Sequence, residues 1–141
     1  MKEIKQKLLI LILALIFFSG QTFAMSKKAY KHILKANDFY SKNDLDNAEI
    51  EYKAAEELAP GELLVCLKLA NLYSELHDWD NALAYYKKAV EISPNDGSIY
   101  FNMASVLRMQ KDYGSAYEAY KKASELLPNY KYIHLNIAQV Q

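Results

Sequence analysis

The chain has 141 residues, with 17 lysines and arginines balancing 17 aspartates and glutamates, and a single cysteine. That balance leaves no basic face for nucleic acid, and one cysteine cannot close an internal disulfide. The length is that of one domain.

The first 24 residues are read as a secretory leader. Lys2, Lys5 and Lys7 form a basic start, Leu8 to Phe18 an unbroken run of 11 apolar residues, and Ser19 to Ala24 a small and polar end. Eleven is well short of the roughly 20 residues that span a bilayer. The expected outcome is cleavage near Ala24 and export to the periplasm or the extracellular space. The alternative is a membrane anchor formed by an uncleaved Leu8 to Phe23. Cleavage would remove three of the 17 basic and one of the 17 acidic residues, leaving 14 and 16 on residues 25–141.

From Ala29 onward the sequence repeats itself every 34 residues. Ala36, Ala70, Ala104 and Ala138 share one column; Ala48, Ala82 and Ala116 another. Tyr52, Tyr86 and Tyr120, then Ala55, Ala89 and Ala123, then Pro60, Pro94 and Pro128 follow in the same register. A fixed period of this size marks a solenoid, in which each unit buries its apolar face against its neighbours. The repeats run over about 29–62, 63–96 and 97–130, with a partial repeat or capping helix over 131–141.

Each repeat is expected to hold two helices; in the second they span about Gly61–Leu76 and Asp80–Ile92. Asp44, Asp78 and Asp112 are expected to cap the second helices, since a short carboxylate accepts the orphan amides of a first turn. The prolines stop those helices, because proline cannot continue one. Ala82, Tyr86 and Ala89 lie on one helical face, and Ala70 with Tyr73 on another. Small alanines bring the backbones close while the rings fill the gaps beside them. Tyr52, Tyr73, Tyr86, Tyr100, Tyr113 and Tyr120, half of the 12 tyrosines, are read as core on this pattern.

These five columns resemble the tetratricopeptide repeat (TPR) family. Ala36 stands where that family often has glycine, and His32, Cys66 and Tyr100 where it prefers a large residue. The resemblance implies an all-α, right-handed superhelical solenoid of antiparallel helix pairs: three full repeats plus a final single helix, with a concave inner groove.

The two ends differ. Val65, Leu69 and Leu72 form an apolar stripe, repeated as Ile99, Met103 and Val106 and as Ile133, Ile137 and Val140. The first repeat has Lys31, Lys35 and Asp38 instead, as a capped end requires. At the other end, Ile133, Ile137 and Val140 are candidates for self-association. Residues 131–141 are either a minimal cap or part of a longer array.

No catalytic constellation is legible. His32 and Cys66 could suit a metal only if they converged on one ion, yet equivalent positions of stacked helix pairs lie about 10 Å apart. Gly61, Gly97 and Gly114 are read as isolated turn glycines, so no phosphate loop exists. No cofactor, metal or enzymatic activity is expected.

The family resemblance places the groove on the first helices, where helical spacing selects Tyr30, Ile33, Asn37 and Tyr40 from repeat one. Repeat two offers Leu64, Leu67 and Asn71, repeat three Phe101, Asn102 and Arg108 with Ser98 and Ser105, and the last helix Tyr132 and Asn136 with Leu135. Asparagine can donate to and accept from a peptide backbone at once. Some family members clamp acidic C-terminal tails with lysines, an arginine and two asparagines. The matching columns read Ile33, Asn37, Lys68, Ser98 and Asn102, or, one repeat on, Leu67, Asn71, Asn102, Tyr132 and Asn136. No acidic-tail clamp is therefore expected. The function expected is an exported adaptor binding a protein segment in its groove, in assembly of envelope or secreted complexes. The alternatives are a self-associating structural module and an N-terminal fragment of a longer TPR protein.

Overall fold

The computed structural model describes residues 25–141, so the expected leader and its cleavage point lie outside the described residues. Those residues form seven helices and no strand: α1 Lys27–Ser41, α2 Leu45–Leu58, α3 Leu63–Glu75, α4 Trp79–Ile92, α5 Gly97–Met109, α6 Tyr113–Leu126 and α7 Lys131–Val140. The pairs α1–α2, α3–α4 and α5–α6 are hairpins, and each following first helix packs on the second helix before it. This is the all-α superhelical array expected, three pairs and a final single helix.

The hairpin turns share one construction. Asn43, His77 and Lys111 take φ of 60°, 58° and 66°. In each turn the next residue's amide reaches back to the fifth carbonyl upstream: Asp44 to Phe39, Asp78 to Tyr73, Asp112 to Leu107, at 3.0, 2.9 and 3.0 Å. That is a Schellman closure with a left-handed residue at its centre. The same aspartates accept the amides of Asn47, Asn81 and Ser115, at 3.3, 3.2 and 3.1 Å. One residue thus ends one helix and starts the next, as the capping expectation requires.

Two expectations need correction here. The first helix of repeat two begins at Leu63 rather than Gly61, because Gly61 sits at φ 77° in a turn and Glu62 is extended. Gly97 and Gly114 are no turn glycines: Gly114 is the second residue of α6, and Gly97 opens α5, where a Cβ would meet Leu127 Cγ at 2.7 Å and Leu126 Cβ at 2.9 Å.

The alanine columns are the contact surfaces between helices. Ala36, Ala70, Ala104, Ala48, Ala82, Ala116, Ala55, Ala89 and Ala123 are wholly buried. Ala138, in the same column as Ala36, is exposed, because no second helix follows α7 among the described residues. Tyr52, Tyr86 and Tyr120 are buried as expected, but Tyr113 is half exposed at the start of α6.

The N-terminal face is polar as expected, with Lys31, Lys35 and Asp38 exposed. Beneath Lys35 lies Glu51, a buried carboxylate that accepts hydrogen bonds from Lys35 and meets His32 Nδ1 at 2.6 Å. These contacts, the Lys35 bond foremost, hold its carboxyl below the usual range against the opposing effect of burial. At the other end, Ile133 and Val140 are buried and Ile137 packs on the core of repeat three. They pack over α6, so the stripe expected to be open is mostly covered by the chain itself, with only Ile137 partly exposed.

Candidate functional site

The inner face is assembled from first helices, with the second-helix tyrosines reaching through to it. Tyr52 Oη donates to Asn37 Oδ1 and Tyr86 Oη to Asn71 Oδ1, both at 2.6 Å, while Ser105 Oγ meets Tyr120 Oη at 3.0 Å. Asn37 and Asn71, two of the expected groove asparagines, therefore hold a tyrosine with the amide oxygen and keep Nδ2 for other use. Burial, with a lesser contribution from Tyr40, pushes the Tyr52 phenol up to about 12, so it stays a neutral donor.

Between repeats two and three this face opens into a cleft of about 310 Å³. Asn71, Asn102 and Arg108, three of the expected groove residues, line it together with Ser105. Its side wall comes from the turn: His77 and Trp79, with ring centroids 5.0 Å apart, and Glu75. Sequence reasoning missed these turn residues. The signal was the column Leu45, Trp79 and Tyr113, a large apolar residue directly after each cap.

Arg108 gives the cleft its chemical character. Its Nε is shielded from solvent and has no hydrogen-bond partner among the described residues. A buried donor left unpaired is costly, and the guanidinium that carries it lines the cleft, where its other N–H groups can meet an acceptor.

The remaining expected residues divide. Tyr30, Leu64 and Tyr132 are exposed, as a groove lining needs, and so is Leu135. Tyr40 and Leu67 are half-buried and pack on the core. Phe101 is half-buried in an edge-to-face cluster with Tyr120 and Tyr130, at 5.6 and 5.3 Å. Asn136 turns back on its own helix, donating to the Tyr132 carbonyl at 2.7 Å. Ser98 is held by Asp96 at the start of α5. Ile33 does not belong to the surface at all: it is 1 % exposed, part of the core between α1 and its neighbours. Helical spacing alone selects it because its column faces the groove only where the neighbouring helix leaves it uncovered.

No group of three or more His, Cys, Asp or Glu side chains could hold a metal ion among the described residues. His32 bonds Glu51, and Cys66 is buried with its thiol pushed up by desolvation. None of the described helices is long and apolar enough to cross a membrane.

The tetratricopeptide repeat family matches residues 61–129. No curated protein matches the sequence. Among solved structures, the fold is similar to the first TPR of Spaghetti (RPAP3) bound to the HSP90 peptide SRMEEVD, at 19% identity and TM-score 0.76, covering 82% of this chain and 91% of that one. The N-terminal domain of stress-induced protein-1 from C. elegans is similar at 17% identity and TM-score 0.75, covering 84% and 98%. The TPR2B domain of yeast Sti1, in a complex with pHsp70, is similar at 26% identity and TM-score 0.70, covering 82% and 94%. The matched segment, the three equal hairpins and these likenesses make the described chain a tetratricopeptide repeat fold, with family support over 61–129.

Proposed function

We propose that this protein is a non-enzymatic adaptor that holds an extended segment of a partner protein in its concave face, centred on the cleft of Asn71, Asn102 and Arg108. The observation that carries the reading is the unpaired Arg108 Nε beside side-chain amides. Together they suit a peptide carbonyl or a carboxylate oxygen. Solved neighbours holding an HSP90 peptide and pHsp70 favour the same mode of use.

The segment is read mainly through its backbone. Arg108 is the only lysine or arginine lining the cleft, and Glu75 lines it too, so the multiply charged clamp for acidic tails is not part of the proposal. We further propose that residues 1–24 act as a secretory leader, which would set this work outside the cytoplasm, in assembly of envelope or secreted complexes.

The test starts from peptides selected by display against the chain and measured by calorimetry. Asn102→Ala with Arg108→Met is expected to weaken them at least tenfold while helicity by circular dichroism stays unchanged. Binding unaltered by the pair removes this site. A second reading, self-association, rests on the outer face of α7, where Leu135 is 59% exposed beside the exposed Ala138. It requires a mass that rises with concentration in sedimentation and returns to the monomer in Leu135→Glu.

A further inference from the structure

The chain builds the interface between consecutive second helices twice and fills it once. Between α2 and α4 the space is occupied by Tyr85. Its hydroxyl donates to Glu56 Oε2 at 2.9 Å and accepts from Lys53, and its ring stacks on Tyr73 at 5.7 Å and 13°. The ammonium groups of Lys53 and Lys88 stand 4.8 and 4.4 Å from the ring centroid. An aromatic ring close to two cations, with a carboxylate to balance them, is a stable arrangement.

One period later, between α4 and α6, the two cations recur and the ring does not. Lys87 and Lys122 stand where Lys53 and Lys88 stood, but Tyr85 is replaced by Ala119, Tyr73 by Leu107 and Glu56 by Val90. What remains is an open cavity of about 680 Å³, with Leu83, Met103, Leu107 and Ala119 among its apolar lining and both lysines at it. Lys87 has no ion pair among the described residues, and Lys122 meets only the exposed Glu125, at 3.3 Å. Asp112 and Glu118 also line the cavity. The Asp112 carboxylate already accepts the Ser115 amide as a helix cap.

We propose that this cavity, separate from the concave cleft, is a second docking site, which takes an aromatic side chain flanked by carboxylates on a partner protein. The chain's own Tyr85 is the template for the ring. Glu118 lines the cavity but forms an ion pair with neither lysine, so the acidic neighbours take the place at Lys87 and Lys122 that Glu56 holds at Lys53 and Lys88 in the filled interface. The occupant is therefore an acidic, aromatic-bearing segment, reached from the side of the second helices.

The probe is a fluorescent peptide, Gly-Ser-Glu-Tyr-Glu-Ser-Gly, titrated with the chain and followed by polarisation. Saturable binding is expected. It should weaken at least tenfold when the peptide tyrosine becomes alanine or its glutamates become lysines, and in Lys87→Glu with Lys122→Glu. Ala119→Tyr should plug the cavity, abolishing binding while raising the melting temperature; Ala119→Leu, a smaller plug, should weaken it. Asn102→Ala with Arg108→Met should leave this binding intact, which separates it from the concave site. No saturable binding, or binding that survives Ala119→Tyr or is lost in the concave-face pair, overturns the proposal.

Discussion

Lys111 holds φ 66° in the third hairpin turn, a conformation that costs a side-chain-bearing residue about 1–2 kcal/mol. Glycine removes that cost but loses more freedom on folding. The balance predicts that Lys111→Gly stabilises the fold by about 0.5–1 kcal/mol, read from denaturant midpoints. Gly97 runs the other way. Its missing Cβ lets α5 start against Leu126 and Leu127, so Gly97→Ala should cost about 1–3 kcal/mol by the same measurement. Glu51 sets a pH window. Its carboxyl is held below the ordinary range, chiefly by Lys35, so its contribution is complete above an unfolded value of about 4.3. That contribution disappears as pH falls through the folded value. Glu51→Gln should therefore be less stable than the parent at neutral pH and lose less on acidification, as thermal melts across pH will show.

At the scale of the helices, the recurring alanines decide how near two axes approach. Ala70, Ala82 and Ala89 are wholly buried at these contacts. Replacing any one with leucine forces extra methylenes into a packed seam and should cost about 1–3 kcal/mol in thermal or denaturant melts. The aspartate caps were legible because their chemistry is local: a carboxylate, a turn and the next three residues. The start of α3 was not legible to the residue, because Gly61 and Glu62 compete for the same boundary until the chain's direction is known. Gly97 was misread for a related reason. A glycine's role as spacer depends on Leu126 and Leu127, some 30 residues away.

Over the whole molecule, the core divides into two clusters that meet along α5: Ile99 and Val106 belong to the first, Ala104 to the second, and Met103 touches both. Stability in such arrays is a sum over neighbouring units, and a terminal unit has one neighbour fewer. Helix α7, with Ala138 and Leu135 on an uncovered face, should exchange its amide hydrogens well before α3 and α4. Protection equal to that of α3 would show α7 to be covered in solution.

The 34-residue period, read alone, determined the helix pairs, their order, their caps and the columns they bury, because each depends on contacts that recur with the sequence. Tertiary structure alone decided which surfaces stay open. Ile33 vanished into the core, Ile133 and Ile137 covered α6, and His77 and Trp79 became a wall of the cleft. The physical reason is that exposure belongs to pairs of units rather than to any one of them. A residue's column says which way it points, while the size of the side chain facing it in the next repeat, such as Ala119 in place of Tyr85, decides whether it meets protein or space.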